Sequence, residues 1–227
     1  GAEVVWIPDA DQLTDAAANA LLKTLEEPPA QPWFFLASTE PARLLATLRS
    51  RCRLHHLAPP PESYAISWLA REVTASSEAL LSALRLSAGS PGAALTLLQA
   101  ESWAHRTDFC AALVNTLNAG DWYILLAALN HDQAAARLHW LATLFTDALK
   151  RPYGIAHLTN PDALDLISSI AERLSVAQIQ AILGDVCHCR QQLLNVTGVN
   201  RELVLTDLIL RIEHYLQPGT VLPVPHL

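Results

Sequence analysis

Residues 4–37, VVWIPDADQLTDAAANALLKTLEEPPAQPWFFLA, decide the fold class. The stretch opens on a short unbroken apolar run, Val4-Val5-Trp6-Ile7, and closes on a second, Trp33-Phe34-Phe35-Leu36-Ala37. Strands that are apolar on both faces belong in a parallel sheet covered by helices. Between the runs, Leu13, Ala17, Leu21 and Leu25 recur at every fourth position and form the apolar row of a short helix. Thr14 can cap its N-terminus, Asp15 suits its first turn, and Pro28-Pro29 ends it. The pattern predicts a strand–helix–strand crossover. A third short strand is expected at residues 53–57.

Beyond this α/β segment the pattern changes. Ala58-Pro59-Pro60-Pro61 reads as a stiff linker and a domain boundary. The rest of the chain reads as all-α. Three short helices fit residues 62–100, the third with Ser90 as cap and Pro91 at its first position. Longer helices follow at 104–117, 121–130, 134–150, 161–173, 175–195 and 200–216. Asn160-Pro161 is read as a cap followed by a first-turn proline, and Ser175 with Gln178 as a capping box. Pro218-Gly219 stops the last helix, and a tail with Pro223 and Pro225 is expected to be extended.

Composition narrows the function classes. Hydrophobic residues make up 51% of the 227, enough for a sizeable core. No apolar run reaches the length of a membrane span, and no signal-peptide pattern opens the chain, so a cytoplasmic protein is expected. The chain opens on Gly1 and holds no Met, which suggests a start inside a larger protein. A net charge of -7 argues against a broad phosphate-tracking surface. Cys52, Cys110, Cys187 and Cys189 show neither disulfide nor zinc spacing. Cys187-His188-Cys189 would place its two thiols on diverging sides of a helix, so no metal is expected there.

Several motifs occur together and in order. They are Asn19-Ala20-Leu21-Leu22-Lys23-Thr24-Leu25-Glu26-Glu27-Pro28-Pro29, Thr47-Leu48-Arg49-Ser50-Arg51-Cys52, Ala88-Gly89-Ser90-Pro91-Gly92 and Asn200-Arg201-Glu202-Leu203. Together they resemble the clamp-loader branch of the AAA+ ATPases, across essentially the whole chain. The resemblance implies a partial RecA-like parallel-sheet domain at 1–58, a three-helix lid at 59–101 and a helical collar at 102–227. Its phosphate loop and first strand would precede Gly1. It also implies partners: ATP-hydrolysing subunits and a clamp-opening subunit in a hetero-pentameric ring that loads the sliding clamp on primed DNA.

The resemblance marks several positions where ATP chemistry can be tested. An active member carries Asp-Glu after the first apolar run, one acid for magnesium and one to position the attacking water. Here Pro8 and Asp9 stand there. Proline offers no ligand, and Asp9 is a methylene shorter than Glu. Gly92 stands where the lid helix usually carries an arginine. Thr39 fits the polar residue after the second strand, or is simply a turn residue. The expectation is a subunit that holds no cofactor in this chain and does not turn over ATP.

Ser50-Arg51-Cys52 matches the family's subunit-boundary motif, whose arginine reaches into the neighbour's ATP site. Arg51 is therefore expected to act as an arginine finger in trans, flanked by Ser50 and Cys52. The alternative is a structural pair with Glu3 or Asp9. Glu26 and Glu27 break a local rule, since negative charge is disfavoured at a helix C-terminus. They are either an interface pair or two solvated carboxylates, with Lys23 placed to offset Glu27. Two rival readings remain: a working ATPase of the same family, and a helical adaptor or DNA-binding protein.

Overall fold

The computed structural model describes residues 3–26 and 32–223. By internal contacts the chain divides into two compact units, Gly1–Ala58 and Pro59–Leu227.

In the first unit, β1 (Val4–Ile7), α1 (Asp15–Glu26) and β2 (Trp33–Leu36) follow in order. The two strands pair in parallel, with Val4 opposite Trp33 and Ile7 opposite Leu36. Thr14 caps α1, its Oγ1 accepting from the Ala17 amide at 3.3 Å. Leu13, Leu21 and Leu25 are half-buried, while Ala17 is exposed and Ala18 takes the fully buried place. A six-residue helix, α2 (Ala46–Arg51), follows and is anchored by the buried Leu48.

Two sequence expectations change here. The sheet is not covered on both faces. Val4, Trp6, Trp33 and Phe35 share one face and stay exposed, the tryptophans at 62% and 64%. One crossover helix lies on one side of its sheet, so it cannot cover both faces. The expected third strand at 53–57 is absent: this segment is irregular and exposed, with no ladder partner among the described residues. A strand without a neighbour leaves its backbone groups to water and has nothing to hold it extended. The helix stop at Pro28-Pro29 and the Lys23–Glu27 pair lie outside the described residues, as does Pro225.

The second unit is helical throughout. Three short helices come first: α3 (Glu62–Glu72), α4 (Ser77–Leu86) and α5 (Pro91–Leu97). They close on a small core that includes Leu69, Leu80, Leu84, Ala94 and Leu98. Ser76 and Ser90 cap α4 and α5 through their side-chain oxygens. Gly89 turns the chain between them with φ +80°, and its amide donates to Leu84 O at 2.9 Å. A Cβ there would come within 3.1 Å of Pro59 Cβ, so the turn needs glycine on both counts.

Six more helices follow, four of them long and α7 and α9 as short as the first three: α6 (Ala100–Ala119), α7 (Tyr123–Leu129), α8 (Ala134–Lys150), α9 (Leu164–Arg173), α10 (Val176–Asn195) and α11 (Arg201–Leu216). α8 is the centre of the larger core. Its Leu138, Leu141, Leu144 and Phe145 are fully buried, together with Ile182 of α10 and Ile209 and Ile212 of α11. Each such side chain contributes about 1.5–3 kcal/mol by leaving water. The capping box at Ser175 and Gln178 forms as expected. Asn160 does not cap in the expected way: Pro161 opens a 3-10 turn, Pro161–Ala163, and the Asn160 side chain is used elsewhere.

That use is a buried polar hub. Asp147, fully buried on α8, accepts from the Thr159 and Asn160 amides at 3.0 and 2.8 Å. It also accepts from Asn160 Nδ2 and Lys150 Nζ, both at 2.9 Å. Asn160 Oδ1 in turn accepts from Arg106 Nη2 on α6 at 2.9 Å. Arg106 also pairs with Asp162, whose carboxylate accepts from Ser82 of α4. Residues 157–162 thereby tie the three short helices to α6 and α8. Arg85 adds a forked pair with Glu62, both contacts at 2.9 Å, and donates to Leu158 O.

Candidate functional site

The carboxyl ends of parallel strands are where an α/β sheet places its ligands. In the first unit the Ala37 amide donates to Ile7 O and the Ala10 amide donates to Ala37 O, both at 2.9 Å. These bonds join the two strand ends and bring Pro8 and Asp9 beside the segment that carries Thr39. All three are exposed. Pro8 presents only a saturated ring, which offers no donor atom. Asp9 starts a 3-10 turn, Ala10–Gln12, through its carbonyl, with no side-chain cap bond. Thr39 lies in a bend two residues beyond the last strand-end bond.

Gly92 belongs to the other unit, in the first turn of α5. A Cβ built on it meets nothing within 4 Å. The position has room for a Cβ, and the residue there carries none.

Arg51 is the last residue of α2, with Cys52 as C-cap. The buried Leu48 fixes the helix, and Thr47 O collects donors from the next turn. Ser50 Oγ donates to it at 3.0 Å and Arg51 Nη1 at 3.1 Å. Arg51 Nη2 pairs with Glu26 at the end of α1. The carboxylate that Arg51 meets is Glu26, at the end of the neighbouring helix, and not Glu3 or Asp9, the partners named for the structural alternative. The two side chains remain 40% and 49% exposed, so the guanidinium is held and still reachable. Arg49 and Arg53 are exposed, and Arg43 meets only Glu40 at 3.7 Å.

The other constellations do not converge on chemistry. On α10, Cys187 is exposed and Cys189 buried, so the thiols diverge. Burial pushes the Cys189 thiol up to about 11, with Asp207 and Asp185 adding to it. A thiol held that high is neither a nucleophile nor a ready ligand at neutral pH. His55 and His56 are exposed on the irregular segment rather than on a strand. Trp122 and Trp140 are core residues. Leu203 and Leu210 of α11 are exposed at 67% and 50%. Sequence reading missed the Glu26–Arg51 pair, whose one trace was Glu26 breaking the helix-dipole rule.

The three successive stretches of the chain match three known families. Residues 1–61 match the family described as DNA polymerase III, delta subunit. Residues 60–99 match the AAA+ ATPase lid domain of DNA polymerase III subunit delta'. Residues 100–214 match the C-terminal family of the DNA polymerase III delta subunit. The DNA polymerase III subunit delta' of Escherichia coli K12 is 70% identical over 227 residues, covering all of this chain and 68% of that protein. The chain belongs to the DNA polymerase III delta' family. The delta' subunit of Yersinia pestis is 47% identical over 233 residues, with the same coverage of both chains. The DNA polymerase III subunit tau of Salmonella typhimurium is 49% identical over 55 residues, 24% of this chain and 9% of that one. The delta' relatives match along the whole chain, whereas the tau match is confined to a short segment. Among the described residues of this delta' family member, no single helix is long and apolar enough to cross a membrane.

Proposed function

We propose that this chain is a non-hydrolysing subunit of the DNA polymerase III clamp loader that supplies Arg51 to the ATP site of a neighbouring subunit. The observation that carries the reading is the combination at the first unit. Pro8 stands where magnesium needs a carboxylate, while an exposed arginine ends a short, well-anchored helix. An arginine finger requires this kind of presentation: a charged planar fork on a rigid support, open to a partner. Kept apart from its own chemistry, such a subunit contributes electrostatic stabilisation to chemistry next door.

In this reading residues 1–58 are part of a RecA-like AAA+ domain, 59–101 a lid and 102–227 a collar that joins the ring. The partners are ATP-hydrolysing subunits and a clamp-opening subunit in a cytoplasmic hetero-pentamer. Sliding clamp and primed DNA are met through the complex, in keeping with the net charge of -7. The polar hub at 157–162 suits a subunit that holds its shape while neighbours move, because it ties the lid helices to the collar helices by buried, charge-assisted bonds.

The test is ATP hydrolysis by the reconstituted ring, stimulated by sliding clamp and primed DNA, with wild type and Arg51→Ala. Assembly is checked by size-exclusion chromatography. A fall of about tenfold or more supports the finger, since trans-acting arginines contribute roughly 10³–10⁵-fold in GTPases and other sites in the ring keep working. An unchanged rate removes it.

A further inference from the structure

The contact between Arg51 and Glu26 connects two sequence features that have separate origins. Glu26 ends α1, where the helix carbonyls make a carboxylate unfavourable. Arg51 ends α2, where the same effect favours a cation. Packing of α1 against α2 brings the two ends together, and the guanidinium neutralises the misplaced carboxylate. Nη1 donates one of its two N–H groups to Thr47 O, and Nη2 lies in ion-pair contact with Glu26. Donors remain free on the guanidinium, but its charge is compensated by Glu26 where it rests. Turning Arg51 outward to a neighbour's phosphate breaks that contact, so the phosphate competes with the Glu26 carboxylate for the same cation.

We propose that Glu26 is a parking partner for Arg51: it holds the guanidinium in place between turnovers and is displaced when Arg51 engages the neighbour's nucleotide. The inference rests on the trans-acting reading of Arg51. The pair is suited to exchange because both side chains are about half exposed, and exposed pairs are weak. A polyphosphate carries more charge than one carboxylate and accepts both arms of the fork, so it wins the exchange. The cost of leaving Glu26 lowers the ring's efficiency, and removing the charge returns that cost. Glu26 touches no reacting atom in this scheme. It sets the availability of Arg51.

The experiment measures kcat/KM for ATP in the reconstituted ring with four forms: wild type, Glu26→Gln, Arg51→Ala and the double variant. Glu26→Gln keeps the size of the side chain and removes its charge. The expected result is a rise of about two- to fivefold for Glu26→Gln, the range of an exposed ion pair, and no further change when Glu26→Gln is added to Arg51→Ala. Raising the salt from low to moderate should narrow the gap between wild type and Glu26→Gln, because screening weakens the parked pair. A fall in kcat/KM for Glu26→Gln would show that Glu26 positions Arg51 for catalysis, and would overturn parking. An unchanged value overturns it as well, and so does loss of assembly, which would place Glu26 in a subunit contact. The Arg51→Ala arm separates the two claims. If that form hydrolyses ATP normally, the finger itself fails. If it is impaired while Glu26→Gln is unchanged, the finger stands and only the parking role is lost.

Discussion

Asp147→Asn is the substitution for which the geometry sets a magnitude. The wild-type carboxylate is fully buried and accepts four hydrogen bonds, two on each oxygen. Asparagine keeps one acceptor oxygen and places an NH₂ where the other stood. If the amide faces Asn160, the Asn160 amide and Nδ2 meet a donor. If it is turned the other way, Thr159 N–H and Lys150 Nζ do. Each buried donor left unpaired costs about 1–3 kcal/mol, and the surviving bonds weaken because the acceptor is no longer charged. The sum is about 3–5 kcal/mol, the same range found when one partner of a buried ion pair is removed. Lys150→Met is the companion. It removes the cation, 23% exposed, and leaves the fully buried carboxylate uncompensated, so it should cost about 3 kcal/mol, the low end of the same range. Urea unfolding followed by fluorescence of the buried Trp122 and Trp140 reads both. With a slope of about 2 kcal/mol per molar urea, Asp147→Asn should lower the midpoint by about 1.5–2.5 M. Amide exchange at Thr159 and Asn160 should quicken in step, because their acceptor has gone. A midpoint shift under about 0.5 M, with protection of those amides intact, would refute the hub as a source of stability.

Two further outcomes follow from the helical unit. At pH 8 a thiol reagent should label Cys187 quickly and Cys189 only as the protein unfolds, since a thiol near 11 is roughly one-thousandth thiolate there and is also buried; equal rates would contradict the opposed orientation on α10. Burial holds the His139 imidazole below its ordinary 6.5, with Arg190 assisting and a bond to Leu86 O opposing. The unfolded chain therefore takes up this proton first as pH falls, so the unit loses stability below pH 6.5, and the loss levels off once pH passes the folded-state value. His139→Gln should flatten that decline between pH 6.5 and 5 in thermal unfolding, and an unchanged slope would remove the assignment.

How much of this was legible in the sequence depends on what each feature rests on. Periodicity and punctuation sufficed for the helices. Ser90-Pro91 and Ser175 with Gln178 stand at helix starts because caps are local chemistry. The third strand at 53–57 failed because strand formation needs a neighbour, which local sequence does not show. The exposed sheet face failed for a related reason: an unbroken apolar run reports that both faces can be buried, not that an element lies over each. Asn160 looked like a cap because Asn-Pro is a common helix start. Its side chain is instead taken by Asp147 and Arg106, which are 13 and 54 positions away. The Ser50-Arg51-Cys52 motif singled out Arg51, but local sequence did not name its partner. Glu26 is 25 positions earlier and meets it only through packing of α1 on α2. The broken dipole rule at Glu26 was the usable signal, and it pointed to a partner without naming it.

The most direct measurement of the central claim is the affinity of the assembled ring for a transition-state mimic, ADP with aluminium fluoride, set beside its affinity for a non-hydrolysable ATP analogue. A trans-acting arginine stabilises charge that develops in the transition state more than charge already present in the ground state. The account predicts that Arg51→Ala weakens binding of the mimic by about 10³-fold at the affected site while changing affinity for the ATP analogue by less than about threefold. Equal affinity of wild type and Arg51→Ala for the mimic would contradict it, and Arg51 would then be a structural residue held by Glu26.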